Sequence, residues 1–120
     1  MRVAISATGK DGSAKADLRF GRAAFFVICD TESGERITIS NEATASAHGA
    51  GIRAAQTVID SGAEAVITGN IGPNAMEVLM AGRIKVFVGD ERTVNELAEA
   101  FQNGTLPEMS APRPKHFGLR

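Results

Sequence analysis

The stretch that most limits the possible folds is residues 63–89, AEAVITGNIGPNAMEVLMAGRIKVFVG. The two short apolar runs at its ends, 63–69 and 84–89, are rich in β-branched residues and predict buried strands. Between them, the sequence predicts a helix that begins at Pro73 and ends near Gly82. A helix that returns the chain in this way makes the two strands parallel, so the segment predicts an α/β protein.

The rest of the chain completes an open, mixed sheet. Helical spacing predicts a helix from about His48 to Gly62. Thr93 and Glu96 form the S/T-x-x-E pattern of a capping box before a last helix. Alternating or continuous apolar residues predict three further strands, over residues 2–7, 24–30 and 36–40. We therefore expect a mixed five-stranded sheet in the order 3-2-1-4-5, with strand 2 antiparallel.

Length and composition indicate one domain, which we place at residues 1–104 of the 120. Residues 105–120 hold three of the four prolines and end with basic residues, so they are predicted to form a flexible tail. A net charge of −1, with no Trp or Tyr, gives no attraction to nucleic acid or membrane. Cys29 is the single cysteine, which excludes an intrachain disulfide and favours a reducing cytoplasm. No apolar stretch is long enough to span a bilayer.

Several loops should meet at the edge where the parallel strands end. Strands 1 and 4 leave this edge in opposite directions, and open α/β sheets bind ligands in such a crevice. Two helices would aim their N-termini at it, where free N–H groups favour anions. Glycines in these turns would let the backbone approach a ligand closely. The residues predicted to contact an anion are Arg19, Arg22, His48, Gly49, Gly51, Asn70, Gly72 and Asn74.

The segment 8–18, TGKDGSAKADL, is predicted to form an exposed loop because it is rich in Gly, Lys and Asp. Its Lys10 and Lys15 lie near the same rim in sequence and would add positive charge. Three carboxylates, Asp11, Asp17 and Asp30, raise the alternative of a nuclease-type metal site. We reject it because Asp30 ends strand 2 far from the crevice. No catalytic constellation is evident, so we expect a protein that is not an enzyme.

Four pieces in fixed order resemble the dinitrogenase iron–molybdenum cofactor biosynthesis family, which includes NifX-like proteins and the carboxyl-terminal domain of NifB-like proteins. They are the motif FGRA, the motif HGAG, the turn G-x-x-GPNA and the strand after Gly82. The resemblance covers about residues 1–106. It implies a three-layer α/β/α, ribonuclease-H-like fold with a mixed five-stranded sheet. It also implies a non-catalytic protein that binds or carries an anionic iron–sulfur or iron–molybdenum-type cofactor or its precursor.

One position departs from the family pattern. Relatives often have His immediately before the FG of the first motif, where this chain has Arg19, and Arg is a poor metal ligand. His48 is therefore the best remaining candidate metal ligand. The simpler alternative is that His48 only flanks the start of a helix. Cys29 cannot hold an iron–sulfur cluster alone.

Two other functions stay open from sequence. One is a module for a small phosphate- or carboxylate-bearing ligand at the same crevice. The other is an accessory factor that contacts other proteins, for which cofactor-assembly proteins are the candidate partners. The oligomeric state is left open.

Overall fold

The computed structural model of the chain describes residues 1–42 and 49–112. These described residues form six strands, three α-helices and a 3₁₀ turn. The strands are β1 (Arg2–Ala7), β2 (Phe25–Asp30), β3 (Arg36–Ser40), β4 (Ala65–Thr68), β5 (Lys85–Val88) and β6 (Glu108–Met109). The helices are α1 (Ala50–Asp60), α2 (Pro73–Ala81) and α3 (Val94–Gln102), and the 3₁₀ turn is Phe20–Arg22.

The strands form one mixed sheet in the order β3-β2-β1-β4-β5-β6. β1, β4 and β5 are parallel, because α1 and α2 return the chain between them. β2 runs antiparallel to β1 and β3, so the predicted direction of strand 2 is confirmed. The prediction of five strands is wrong in number, because β6 adds a sixth strand antiparallel to β5.

β6 lies inside the segment that was predicted to be a flexible tail. Leu106 and Met109 are buried, and the Val88 N–H donates to the Pro107 carbonyl at 2.8 Å. A tail starting at residue 105 is therefore wrong for 105–109. Pro107 directly precedes this edge strand, where the missing N–H of proline is tolerated.

Helices cover both faces of the sheet. α1 and α2 pack on one face, over a core that includes Ala4, Phe26 and Val66. α3 packs on the other face, where Val3 and Ile5 of β1 point. Because successive strand residues face opposite sides, a strand covered on both faces must be apolar throughout. This explains why β1 is buried from Val3 to Ala7.

The segment 8–18 is a loop, as its composition predicts, but it is not exposed throughout. Ala16 and Asp17 are buried. The Val94 and Asn95 N–H groups at the start of α3 donate to the Ala14 and Gly12 carbonyls at 2.9 Å each. The segment is thus tied to the start of α3.

None of the three helices in the described part of the chain has the length and apolar character that a bilayer crossing requires.

Candidate functional site

A cleft of about 490 Å³ opens at the sheet edge where β1 and β4 end. One wall is the 3₁₀ turn with the residue before it, and the other is the connection from β4 to α2. The lining residues are Arg19, Phe20, Gly21, Arg22, Asn70, Ile71 and Gly72. The cleft lies at the strand ends where the sequence predicts a ligand crevice.

The Arg-bearing wall is held by a buried aromatic anchor. Phe20 is buried, and its ring centroid lies 5.4 Å from that of Phe26. Its N–H donates to the Asn70 carbonyl at 3.1 Å. The buried Asn41 side chain donates to the Ala23 carbonyl at 2.8 Å. These contacts fix the backbone of the turn that carries Arg19 and Arg22.

Two glycines allow the close approach that forms the cleft. A Cβ at Gly69 would lie 2.7 Å from the Leu18 Cβ, so only glycine lets the end of β4 meet this segment. A Cβ at Gly21 would lie 3.1 Å from the Gly51 backbone, at the start of α1. Gly21 therefore lets the N-terminus of α1 pack against the wall of the cleft.

Two helix N-termini thus lie at or beside the cleft. Gly72, a lining residue, is the N-cap of α2, and no side chain caps that helix. The N-cap of α1 is Gly49 in the left-handed conformation, also without a side-chain cap. Uncapped helix N-termini present free N–H groups and partial positive charge, which favour anions.

Arg19 is held by the carboxylate of Asp17, two residues earlier in the chain. Asp17 Oδ1 accepts from the Arg19 backbone N–H at 3.0 Å and from Nε at 3.1 Å, and Oδ2 accepts from Nη2 at 2.9 Å. The Asp17 side chain is 7% exposed, whereas that of Arg19 is 62% exposed. The signal for this pair was the Asp-x-Arg spacing, which suits a turn closed by the aspartate side chain.

The charge state of the pair follows from these contacts. Burial alone would raise the pKa of Asp17, but hydrogen bonds from Arg19 and the guanidinium charge outweigh burial and lower the pKa. The same hydrogen bonds raise the pKa of Arg19. Both groups are therefore ionised at neutral pH.

The structure brings together half of the predicted contact residues. Arg19, Arg22, Asn70 and Gly72 all line the cleft. Gly51 instead serves packing between helices, since a Cβ there would lie 3.2 Å from the Ala75 Cβ. The other predicted contacts that are described, Gly49 and Asn74, are exposed and not among the lining residues, and His48 lies outside the described residues.

The two lysines of the segment 8–18 do not line the cleft. The Lys10 Nζ lies 5.7 Å from the centroid of the Phe25 ring, and neither residue is among those that line the cleft. Lys15 pairs through its backbone with Thr93, before α3. Positive charge at the cleft therefore comes from Arg19, Arg22 and the helix N-termini.

The described residues contain no group of three or more His, Cys, Asp or Glu side chains placed to hold a metal ion. Cys29 is buried on β2, where it pairs with Val3 at the end of the sheet away from the cleft. Burial raises the pKa of its thiol, and Arg36 offsets this in part. The cleft is thus suited to hold an anion by charge and hydrogen bonds.

Comparison with known proteins identifies a family and solved structures with the same fold. Residues 1–104 match the model of the dinitrogenase iron-molybdenum cofactor family. The apo form of the orange protein from Desulfovibrio gigas is 38% identical, with a TM-score of 0.90 over 93% of this chain and 95% of that one. A candidate NifB protein from Thermotoga is 40% identical, with a TM-score of 0.83 over 95% and 97%.

A further relative has no assigned role. An uncharacterized protein of Methanocaldococcus jannaschii is 33% identical over 93 residues, which is 75% of this chain and 79% of the relative. The family match spans every element of the fold up to the end of α3. The chain therefore belongs to the dinitrogenase iron-molybdenum cofactor family.

Proposed function

We propose that this protein binds and carries an anionic iron–sulfur or iron–molybdenum-type cofactor, or its precursor, in the cleft, without catalysing a reaction on it. The observation that carries the proposal is the convergence of Arg19, Arg22 and the uncapped N-terminus of α2 on one cleft of about 490 Å³. Family membership supports the class of cargo. That a relative is described in an apo form is consistent with a removable ligand.

The lack of thiolates suits a carrier. Iron–sulfur clusters are normally fixed by several cysteine thiolates. This chain has only Cys29, which is buried away from the cleft. Charge and hydrogen bonds to arginine and helix N–H groups would hold the cargo reversibly. His48 remains the candidate for a direct metal bond.

The proposal fits a reducing cytoplasm, where the Cys29 thiol stays reduced. A carrier also needs proteins that load and unload it. We therefore propose cofactor-assembly proteins as its partners.

The decisive test is anaerobic reconstitution with iron and sulfide, followed by visible absorption. The wild-type protein should develop a charge-transfer band that survives desalting. The double variant R19A/R22A should lose most of it, while R92A, which removes an arginine outside the cleft, should keep it. His48→Ala tests the direct metal bond separately: a weaker band supports ligation, and an unchanged band restricts binding to charge and hydrogen bonds.

A second candidate is a small ligand that carries a phosphate or carboxylate, which the free N–H groups of α2 favour. If the reconstituted wild type stays colourless while inorganic phosphate raises its Tm, this second function replaces the first. If neither binds, a pull-down with and without residues 113–120, a deletion that leaves β6 in place, tests the protein-interaction alternative.

A further inference from the structure

We infer that Asp17 is a positioning residue for the cleft: it orients the Arg19 guanidinium, and anion binding depends on this carboxylate although it is itself negative. The inference rests on the proposed function, because it requires an anion in the cleft. It names a residue that does not line the cleft but acts through one that does.

The geometry of the pair leaves part of Arg19 available. Asp17 engages the Nε and Nη2 atoms of Arg19 along one edge of the guanidinium. A guanidinium has five N–H donors, and this bidentate contact uses two of them. The other edge, on an exposed side chain that lines the cleft, stays available to a ligand. The carboxylate thus sets the direction in which the free donors point.

Asp17 can do this because it is itself fixed. The Ser6 Oγ donates to the Asp17 carbonyl at 2.6 Å, and the Asp17 N–H donates to the Ser6 carbonyl at 2.8 Å. The buried Ser6 hydroxyl lies 2.9 Å from the Thr68 Oγ1, on the neighbouring strand. The backbone of Asp17 is therefore fixed to the end of β1 and, through Ser6 and Thr68, to β4. This fixes the point from which its carboxylate reaches Arg19.

The chain supplies a matched control for this arrangement. Asp90 and Arg92 repeat the Asp-x-Arg turn, with the Arg92 N–H donating to Asp90 Oδ1 at 3.1 Å and Nε donating to the same oxygen at 2.9 Å. Both of these side chains are exposed, at 57% and 43%, and neither lines the cleft. The two turns share the contacts from the backbone N–H and Nε, whereas the Nη2 contact is made only by Arg19. A substitution at Asp90 therefore removes the shared turn contacts without touching the proposed site.

Two hypotheses predict opposite effects of Asp17→Asn on the affinity of the cleft for an anion: one in which the net charge decides, and one in which the orientation of Arg19 decides. Removing a negative charge beside an anion site should tighten anion binding if charge alone decides. If orientation decides, the same substitution should weaken binding, because the guanidinium loses the contact that preorganises it.

The experiment is an anaerobic titration with tetrathiomolybdate, a coloured dianion of molybdenum and sulfur, monitored by absorbance in low salt. We expect D17N to raise the Kd about tenfold relative to wild type, as loss of one charge-assisted contact would. R19A should raise it at least as much, and D17N/R19A no more than R19A alone, since Asp17 acts through Arg19. D90N should leave the Kd unchanged.

The variant Arg19→Lys is a second test of the inference, and it leaves Asp17 unchanged. It keeps the positive charge but cannot make the bidentate contact, so positioning predicts a loss of affinity. Circular dichroism and Tm establish that each variant is folded. Equal or tighter binding by folded D17N, or wild-type affinity in R19K, overturns the inference and leaves the proposed function standing. No binding by wild type overturns both.

Discussion

The two Asp-x-Arg turns, 17–19 and 90–92, are locally alike and physically different. In each, the aspartate accepts from the backbone N–H and the Nε of the arginine two residues later. In the first turn the aspartate is buried, and the buried Phe20 follows the turn. The second is exposed and is followed by Thr93, the N-cap of α3. The local sequence sets the turn, but its surroundings decide whether the arginine is held rigidly.

The two turns differ in the hydrogen bonds that connect them to the rest of the fold. Around Asp17, the hydroxyls of Ser6 and Thr68 and the backbone of Leu18 tie the turn to two strands. Among the residues that the structure describes, the Asp90 side chain accepts hydrogen bonds from Arg92 alone. The first turn can orient a binding group, whereas the second chiefly leads into a helix.

The largest expected effect on stability comes from substituting the residue that directly follows each turn, Phe20 or Thr93. Phe20→Ala should lower the free energy of unfolding by about 3–5 kcal/mol, because it empties a buried aromatic site. Thr93→Ala should cost only about 1 kcal/mol, the usual value of an N-cap. Urea denaturation measures both. Similar losses for the two variants would contradict the difference in anchoring.

A smaller effect should come from Gly69, where the strand end meets the first turn. Gly69→Ala should destabilise the protein by about 1–3 kcal/mol, because the new Cβ overlaps Leu18. Gly72→Ala is the control, since its Cβ would enter open space, and it should change stability by less than about 0.5 kcal/mol. Thermal melts of the two variants separate close packing from any general intolerance of alanine.

Substituting the aspartate should also destabilise the protein more in the first turn than in the second. Asp17→Asn should cost about 1–2 kcal/mol, because it weakens hydrogen bonds to a charged group in a largely buried setting. Asp90→Asn should cost less than about 0.5 kcal/mol, since exposed ion pairs contribute little. The midpoints of urea unfolding at neutral pH provide the comparison. A loss at Asp90 equal to that at Asp17 would show that burial does not matter here.

The smallest expected effect is that the stability lost in Asp17→Asn depends on pH. The folded pKa of Asp17 lies below the ordinary 3.8, so its ionised form stabilises the fold above pH 3.8 and the contribution disappears as the pH falls through the folded pKa. The Tm difference between wild type and D17N should therefore be greatest near neutral pH and shrink below about pH 3.8. Melting curves across this range check the sign, and a gap that widens in acid would contradict it.

Much of the fold could be predicted because its signals are local. Periodicity predicted β1 and β3 with their observed bounds, and the Thr93–Glu96 capping box and Pro73 at the start of α2 are confirmed. β6 was missed because a two-residue strand among prolines has no periodicity; its pairing depends on the open edge of β5.

The site was predictable only to the level of topology. The strand directions suffice to bring Arg19 and Asn70 to one edge, and they pair there. The burial of Asp17 could not be read from TGKDGSAKADL, because it depends on Ser6 and Thr68, which are distant in sequence. Gly51 was assigned to a ligand because sequence cannot distinguish a glycine that admits a ligand from one that admits a helix.

The direction of β6 has a practical consequence. It runs antiparallel to β5, so the chain after Met109 heads for the amino-terminal ends of the parallel strands. A fluorescent reporter or affinity handle fused directly behind Met109 would therefore start near the amino-terminal ends of the parallel strands, away from Arg19 and Asn70 at their carboxyl ends. The proposed binding of an anion in the cleft could then be followed with a label attached at the opposite end of the sheet.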